Sequence, residues 1–421
     1  MKKKNNLKLF VSFVVVFSTL FSSCSVSRHG SSLILPIEQN EETVFVESNA
    51  SDLMLGNERM DIYLPVLKNA KVALVVNHTS LVNGIHLVDT LVNLGIEIEK
   101  IFALEHGYRG TAANGEEFDS SLDPLTGIPI VSLYGKNKKP STKDLDGIDV
   151  VVFDIQDVGL RFYTYISSMH YIMEACAEEE VKFMVLDRPN PHGHYFDGPV
   201  LDSEFQSFIG MHNIPVVHGL TIGELAWMIN EEKWISTKCD LLIVKCKGYH
   251  HQDAYELSVR PSPNLPNMRS VYLYPVLCFL EGTVVSVGRG TDYPFQRYGH
   301  PLLQIENDSF IPSPNEGSKY PKLEGDTCYG RSFFHEDDLK FRDSKLDLRL
   351  ILNIYEAYPE PSNFFLENGF FNLLAGNDKL QKQIIDHCSF DEIKDSWSKD
   401  LKAYAELRNL YLLYQDLDHQ N

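Results

Sequence analysis

From residue 71 onward, short apolar, β-branched runs recur with helical segments between them, and this pattern limits the possible folds most narrowly. The runs are Val72–Val76, 101–104, 150–155 and 183–186, with helical segments over 86–94 and near 165–179. Such alternation predicts a parallel sheet covered by helices. The runs are apolar at every position rather than every second one, as strands buried on both faces must be. A Rossmann-like, doubly wound α/β domain is therefore expected over 52–215. The roughly 370 residues after residue 51 suit two domains better than one. Thr221 followed by Glu224 predicts a capped helix. The run Leu241–Val244 is expected to open a second domain over 216–421, ending in helices from about 345 to 417.

The amino terminus reads differently. Residues 1–4 are basic, 7–21 are almost wholly apolar, and Ser22-Ser23 leads into Cys24. The order is that of an export signal, and its apolar run is shorter than the roughly 20 residues a spanning helix needs. Small residues before a cysteine predict a lipoprotein signal over 1–23 with Cys24 acylated, followed by a Ser-, Glu- and Asn-rich tether over 24–51. The expected location is that of an exported, membrane-anchored lipoprotein, periplasmic or at the cell surface. A formal charge of −20 argues against nucleic acid as a partner. The other six cysteines lie far apart without a C-x-x-C spacing, several inside apolar runs, so buried free thiols are expected rather than a disulfide framework.

In an open parallel sheet, ligands bind beyond the carboxyl ends of the strands. Here those ends are Asn77-His78-Thr79, then Glu105-His106-Gly107-Tyr108-Arg109-Gly110, then Asp154-Ile155-Gln156-Asp157-Val158-Gly159-Leu160-Arg161, then Asp187-Arg188-Pro189-Asn190-Pro191. Four polar clusters at one edge predict a site. Glu105 ends an apolar strand, where partial burial would let it hold a proton as a general acid; it could equally pair with Arg109 or cap the next helix. His106 is a second acid–base candidate. Tyr163 and Tyr165 offer aromatic faces to a sugar, or else seal the core. Arg161, Arg188 and Arg289 could grip an anionic group, or pair with Asp154, Asp157 or Asp187.

Other chemistries lack their signatures. The stretch 284–288 has no nucleophile elbow, 282–291 has no Gly-Lys-Ser/Thr ending, and neither His192-Gly193-His194 nor His250-His251 has the spacing of a zinc hydrolase. No metal and no cofactor is called for.

Taken in order, Asn77-His78-Thr79, Glu105-His106-Gly107, 153–159, 161–165 and 186–191 resemble the exo-β-N-acetylmuramidase family. In the second half His218-Gly219, 221–225, Pro261-Ser262-Pro263-Asn264, 280–283 and Gly288-Arg289-Gly290-Thr291 continue the likeness over nearly the whole chain. The resemblance implies a Rossmann-like N-terminal domain, a smaller α/β C-terminal domain and a site in the cleft between them. It implies exo-cleavage of terminal N-acetylmuramic acid (MurNAc) from peptidoglycan-derived saccharides, and places the catalytic glutamate at Glu105. It also implies substrate contacts from Asn77, His78, Arg109, Gln156, Arg161, Tyr163, Tyr165, Arg188, Asn190, Asn264, Glu281 and Arg289. Glycoside hydrolysis normally uses two carboxyl groups. Asp157 is the first candidate for the second, ahead of Asp154, Glu116 and Glu281, unless the substrate's own N-acetyl group acts instead. Rival readings are a muropeptide-binding lipoprotein without catalysis, and an amidase or esterase, for which no nucleophile motif is present.

Overall fold

A computed structural model describes residues 53–105, 107–108, 121–303 and 308–416. Its centre is a seven-stranded sheet. In chain order the strands are β1 (Val72–Val76), β2 (Ile98–Ala103), β3 (Ser121–Leu122), β4 (Pro129–Ser132), β5 (Val150–Asp154), β6 (Lys182–Leu186) and β7 (Leu241–Val244). Across the sheet they run β7-β6-β5-β1-β2-β4-β3, all pairs parallel except β3 with β4. The chain builds outward from β1 to one side, then returns to place β5 against its other flank. The switch point thus lies between the carboxyl ends of β1 and β5.

The continuous apolar runs follow from this layering. Ala73, Val75, Phe102, Val151, Phe153, Phe183 and Val185 enter one core, while Val72, Leu74, Val76, Ile101, Val150, Val152, Met184 and Leu186 enter the core on the opposite face. Period-two alternation persists, but both faces are covered, so neither set is polar.

Two expectations change. Leu241–Val244 does not open the second domain; it pairs in parallel with β6 as the edge of the first sheet. Helix Ile222–Glu231, capped by Thr221 with Glu224 in a capping box, is therefore the crossover between β6 and β7. β4 and the short β3 have no counterpart among the apolar runs, because Pro129 interrupts the signal; proline is tolerated at a strand's first residue.

After helix Met268–Leu277, a three-stranded antiparallel sheet forms from Arg297–His300, Cys328–Ser332 and Asp308–Phe310, and helices from Asp338–Ser344 to Ser398–Arg408 complete the α/β C-terminal part. Its apolar residues join the larger core of the first part. Cys176, Cys239, Cys246, Cys278, Cys328 and Cys388 are all free thiols, and all but Cys388 are buried.

Burial also fixes how the fold responds to acid. Burial holds His192 down to about 3 and His194 down to about 4, and pushes His212 well below its ordinary value. Between pH 6.5 and these values the unfolded chain carries protons that the folded chain does not. Stability is therefore complete above pH 6.5 and falls as the pH drops, by about 3 kcal/mol between pH 7 and pH 4 from His192 alone. Urea unfolding at the two pH values measures it; a midpoint unmoved by pH would show that these imidazoles are solvated.

Candidate functional site

Beyond the carboxyl end of the sheet lies a cavity of about 240 Å³. Its walls come from the first part through Glu105, Tyr134, Tyr163, Thr164, Tyr165 and Phe208, and from the second through Tyr274, Glu281, Arg289, Phe295 and Phe370.

Glu105 follows β2 after a single residue, and its half-buried carboxylate is held on both oxygens. Tyr134 donates to Oε1 at 3.0 Å and Thr164 Oγ1 donates to Oε2 at 2.9 Å. Thr164 is the cap residue of helix Tyr165–Glu178 but makes no side-chain cap bond; its hydroxyl serves Glu105 instead. Both hydroxyls can also accept, so the same two contacts suit a carboxylate or a carboxylic acid. Glu105 makes no ion pair among the described residues.

Tyr165 Oη donates to the Glu105 carbonyl at 3.3 Å and accepts from Asn77 Nδ2 at 3.1 Å. Tyr163 Oη donates to the Pro261 carbonyl at 3.0 Å. Burial, reinforced by neighbouring acidic groups, raises both phenols above their ordinary value, so they remain protonated donors. The rings of Tyr163 and Tyr165 meet edge to face at 5.1 Å, and Tyr274 meets Phe295 in the same way at 4.8 Å. These rings line an aromatic side of the cavity.

Across the site Arg289 holds Glu281 through two parallel bonds, Nε to Oε1 at 2.6 Å and Nη2 to Oε2 at 2.9 Å. Burial alone would raise the Glu281 carboxyl, but the guanidinium more than offsets this and leaves it below its usual value. The guanidinium also lies 4.9 Å from the Phe295 ring centre. Its Nη1 has no hydrogen-bond partner among the described residues. Gly288 and Gly290 on either side of it both adopt φ +78°. A Cβ at 290 would sit 2.6 Å from the Ser313 carbonyl oxygen, so the Gly-Arg-Gly spacing is a backbone requirement. Lys322, pushed down to about 8 by burial, binds the carbonyls of Leu280, Glu281, Thr283 and Val285 and fixes the turn that carries Glu281.

Several residues predicted to contact substrate are engaged within the chain itself. The crevice between β1 and β5 is filled by the chain itself: Asn77 Oδ1 accepts from Thr79, Thr79 Oγ1 accepts from the Gln156 amide, and Gln156 Nε2 donates to the Pro189 carbonyl at 2.8 Å. Arg188 pairs with Asp154 at 2.7 Å in full burial. Arg161 is completely buried against four backbone carbonyls. Asn190 donates to the Leu220 carbonyl and packs beneath Gly159, whose φ is +80° and where a Cβ would fall 2.1 Å from Asn190 Oδ1. Asp157 accepts from the Gly159 amide at 2.6 Å, lies 3.8 Å from His218 Nε2 and does not line the cavity. His78 donates to the Arg260 carbonyl at 2.7 Å.

Of the predicted residues, Glu105, Tyr163, Tyr165, Asn264, Glu281 and Arg289 come together in the cavity. Asn264 is itself anchored on the Gly317 carbonyl at 2.7 Å. Cys24, His106, Arg109 and Glu116 lie outside the described residues. Tyr134 and Phe208 carried no signal, since neither belongs to a polar cluster at a strand end. No group of three or more His, Cys, Asp or Glu side chains able to hold a metal is present among the described residues.

Comparison with known proteins gives the chain's family. The profile of the amino-terminal domain of the exo-β-N-acetylmuramidase NamZ matches residues 72–269, and that of its carboxyl-terminal domain matches 272–414. The peptidoglycan β-N-acetylmuramidase NamZ of Bacillus subtilis strain 168 is 39% identical over 372 residues, covering 84% of this chain and 89% of that protein. Two crystal structures of DUF1343 family proteins from Bacteroides fragilis share the architecture. One is 43% identical with a TM-score of 0.81, covering 87% of this chain and 100% of its own; the other is 29% identical with a TM-score of 0.76, covering 86% and 99%. Two matching profiles in sequence over most of the chain, and a relative so similar, establish that this chain belongs to the exo-β-N-acetylmuramidase NamZ family.

Proposed function

We propose that the chain is an exo-acting glycoside hydrolase that removes non-reducing terminal MurNAc from peptidoglycan fragments during cell-wall turnover, with Glu105 as its general acid. The observation that carries this is the placement of Glu105: a carboxyl group that pairs with no cation among the described residues, oriented by two hydroxyls, in an aromatic-lined cavity. Protonating a glycosidic oxygen needs such a group, and sugar rings stack on such walls. A lactyl carboxylate distinguishes MurNAc from N-acetylglucosamine (GlcNAc), and the unengaged Nη1 edge of Arg289 is the donor suited to read it.

For the second catalytic role, the described residues leave Glu105 as the uncommitted carboxyl group of the cavity: Glu281 is held by Arg289, and Asp157 does not line it. This supports a substrate-assisted course, in which the N-acetyl oxygen of MurNAc attacks the anomeric carbon while Glu105 protonates the leaving oxygen. The test is release of free MurNAc from MurNAc-β-1,4-GlcNAc by the purified chain from residue 25. Binding without release would overturn the reading in favour of a saccharide-binding protein.

The amino-terminal pattern supports export and acylation at Cys24. In cells, a Cys24→Ala chain is expected to leave the membrane fraction; an unchanged distribution would remove the anchor from the reading.

A further inference from the structure

A second cavity, of about 500 Å³, lies next to the first and shares Phe208 with it. The partition is a tight turn in which the Ser207 and Gly210 backbones bond each other both ways, at 2.9 and 3.1 Å. Its tip residues, Phe208 and Ile209, both line the catalytic cavity. The other walls are Tyr171 and Glu174 of helix Tyr165–Glu178, the loop residues Gln206 and Asn213, His212 and Trp234.

This lining has the composition of a saccharide site. Three aromatic rings, those of Tyr171, Phe208 and Trp234, are only half-buried. Tyr171 and Phe208 are nearly parallel, 11° apart, and His212 stacks on one face of Trp234 at 5.1 Å. Amide and hydroxyl side chains lie among them. His212 is 2% exposed and shares a 3.0 Å hydrogen bond with His170 through Nε2, yet its Nδ1 has no partner among the described residues. A buried imidazole with one nitrogen unmatched at a cavity wall is costly unless a ligand or water completes it. Among the described residues of the lining, Glu174 is the one carboxylate and pairs with Lys139 at 2.9 Å, while Lys138 Nζ lies 4.1 Å from the Phe208 ring centre.

Position decides which sugar it takes. Thr164, which holds Glu105, and Tyr171 are seven residues apart along one helix, which at 1.5 Å per residue is about 10 Å, a reach on the scale of two sugar rings. An exo-acting enzyme has nothing on the non-reducing side of its terminal sugar. Any further saccharide surface therefore serves the leaving-group side. We propose that this cavity is a subsite for the glycan beyond the scissile bond, binding the next disaccharide of the strand through Tyr171 and Trp234. The assignment rests on the exo-muramidase reading for its direction.

The test is calorimetric titration of the full-length chain carrying Glu105→Gln, with and without Trp234→Ala, using MurNAc-GlcNAc and the corresponding tetrasaccharide. The tetrasaccharide is expected to bind about tenfold more tightly than the disaccharide, and Trp234→Ala to remove that advantage while Trp234→Phe keeps most of it. Equal affinities for the two glycans, or an advantage that Trp234→Ala leaves intact, would overturn the subsite. A disaccharide bearing a stem peptide is the third ligand: a gain from the peptide alone, lost with Trp234→Ala, would overturn the saccharide assignment in favour of a peptide groove. Failure of the muramidase reading is seen separately, as absence of MurNAc release by the chain with Glu105 intact.

Discussion

With glutamine in place of Glu105, MurNAc release from MurNAc-β-1,4-GlcNAc is expected to fall by about 10³-fold, within the span that general acid–base groups contribute. The amide is nearly the same size and still engages both hydroxyls, accepting from Tyr134 or Thr164 on its oxygen and donating to the other through its nitrogen. What it cannot do is deliver a proton. The loss should therefore fall on kcat with KM little changed, and the folded chain should melt close to the parent. Release undiminished in the variant would move the acid elsewhere, and the segment after Gly107 would be the first place to look for it. A substrate with a good leaving group separates the two steps of the proposed course. An aryl glycoside needs little protonation, so Glu105→Gln should retain far more activity on it than on the disaccharide. Equal losses on both would mean that Glu105 does something other than protonate the leaving oxygen.

Why Glu105 could be singled out from sequence while its supporting groups could not is a matter of range. A carboxylate that terminates an apolar strand in an α/β pattern is placed by local rules alone: periodicity fixes the strand, and the sheet's handed connections fix which edge it reaches. Tyr134 and Phe208 reach the cavity only because β4 and the 207–210 turn pack where they do, and nothing within a few residues of either announces that. The fold shows the same limit. The core strands were evident from their runs, but β7 was assigned to the wrong half, because membership of a sheet depends on pairing with β6, a partner some 60 residues distant. Asn77 and Gln156 show a third limit. They lie at the switch point where such sheets usually hold a ligand, but in this chain Asn77 bonds Thr79 and Tyr165, and Gln156 bonds the carbonyls of Asp157 and Pro189.

The arginines are where the sequence was least able to choose, and they give the other large effect. From the sequence Arg161 and Arg289 are equivalent candidates for gripping an anionic group; in the structure Arg289 lines the cavity and Arg161 does not. Arg161 is wholly buried, with Nη1 on the carbonyls of Pro199 and Ile214 at 2.8 Å each, and Nη2 on those of Leu374 and Ala375 at 3.0 and 2.8 Å. The last two carbonyls belong to the end of helix Phe370–Ala375, where a cation also meets the negative end of the helix dipole. Burial works against its charge and pushes its pKa down to about 9, so the side chain is retained for the carbonyls it satisfies. Arg161→Met strands all four in the core and should cost about 5 kcal/mol, as buried unsatisfied groups do, read as a collapse of the urea midpoint. Any molecules that remain folded should keep their preference for MurNAc over GlcNAc. At the other position, the double change Glu281→Met and Arg289→Met removes both charges of the pair, so no lone ion is left behind and stability should move little. Its effect should appear in selectivity: kcat/KM for the MurNAc substrate falls by about 10²-fold through KM, while that for the GlcNAc counterpart barely changes. If instead the Arg161 variant stays folded and loses the preference, while the double variant keeps it, the lactyl group is read at Arg161 and the cavity has been assigned the wrong way round.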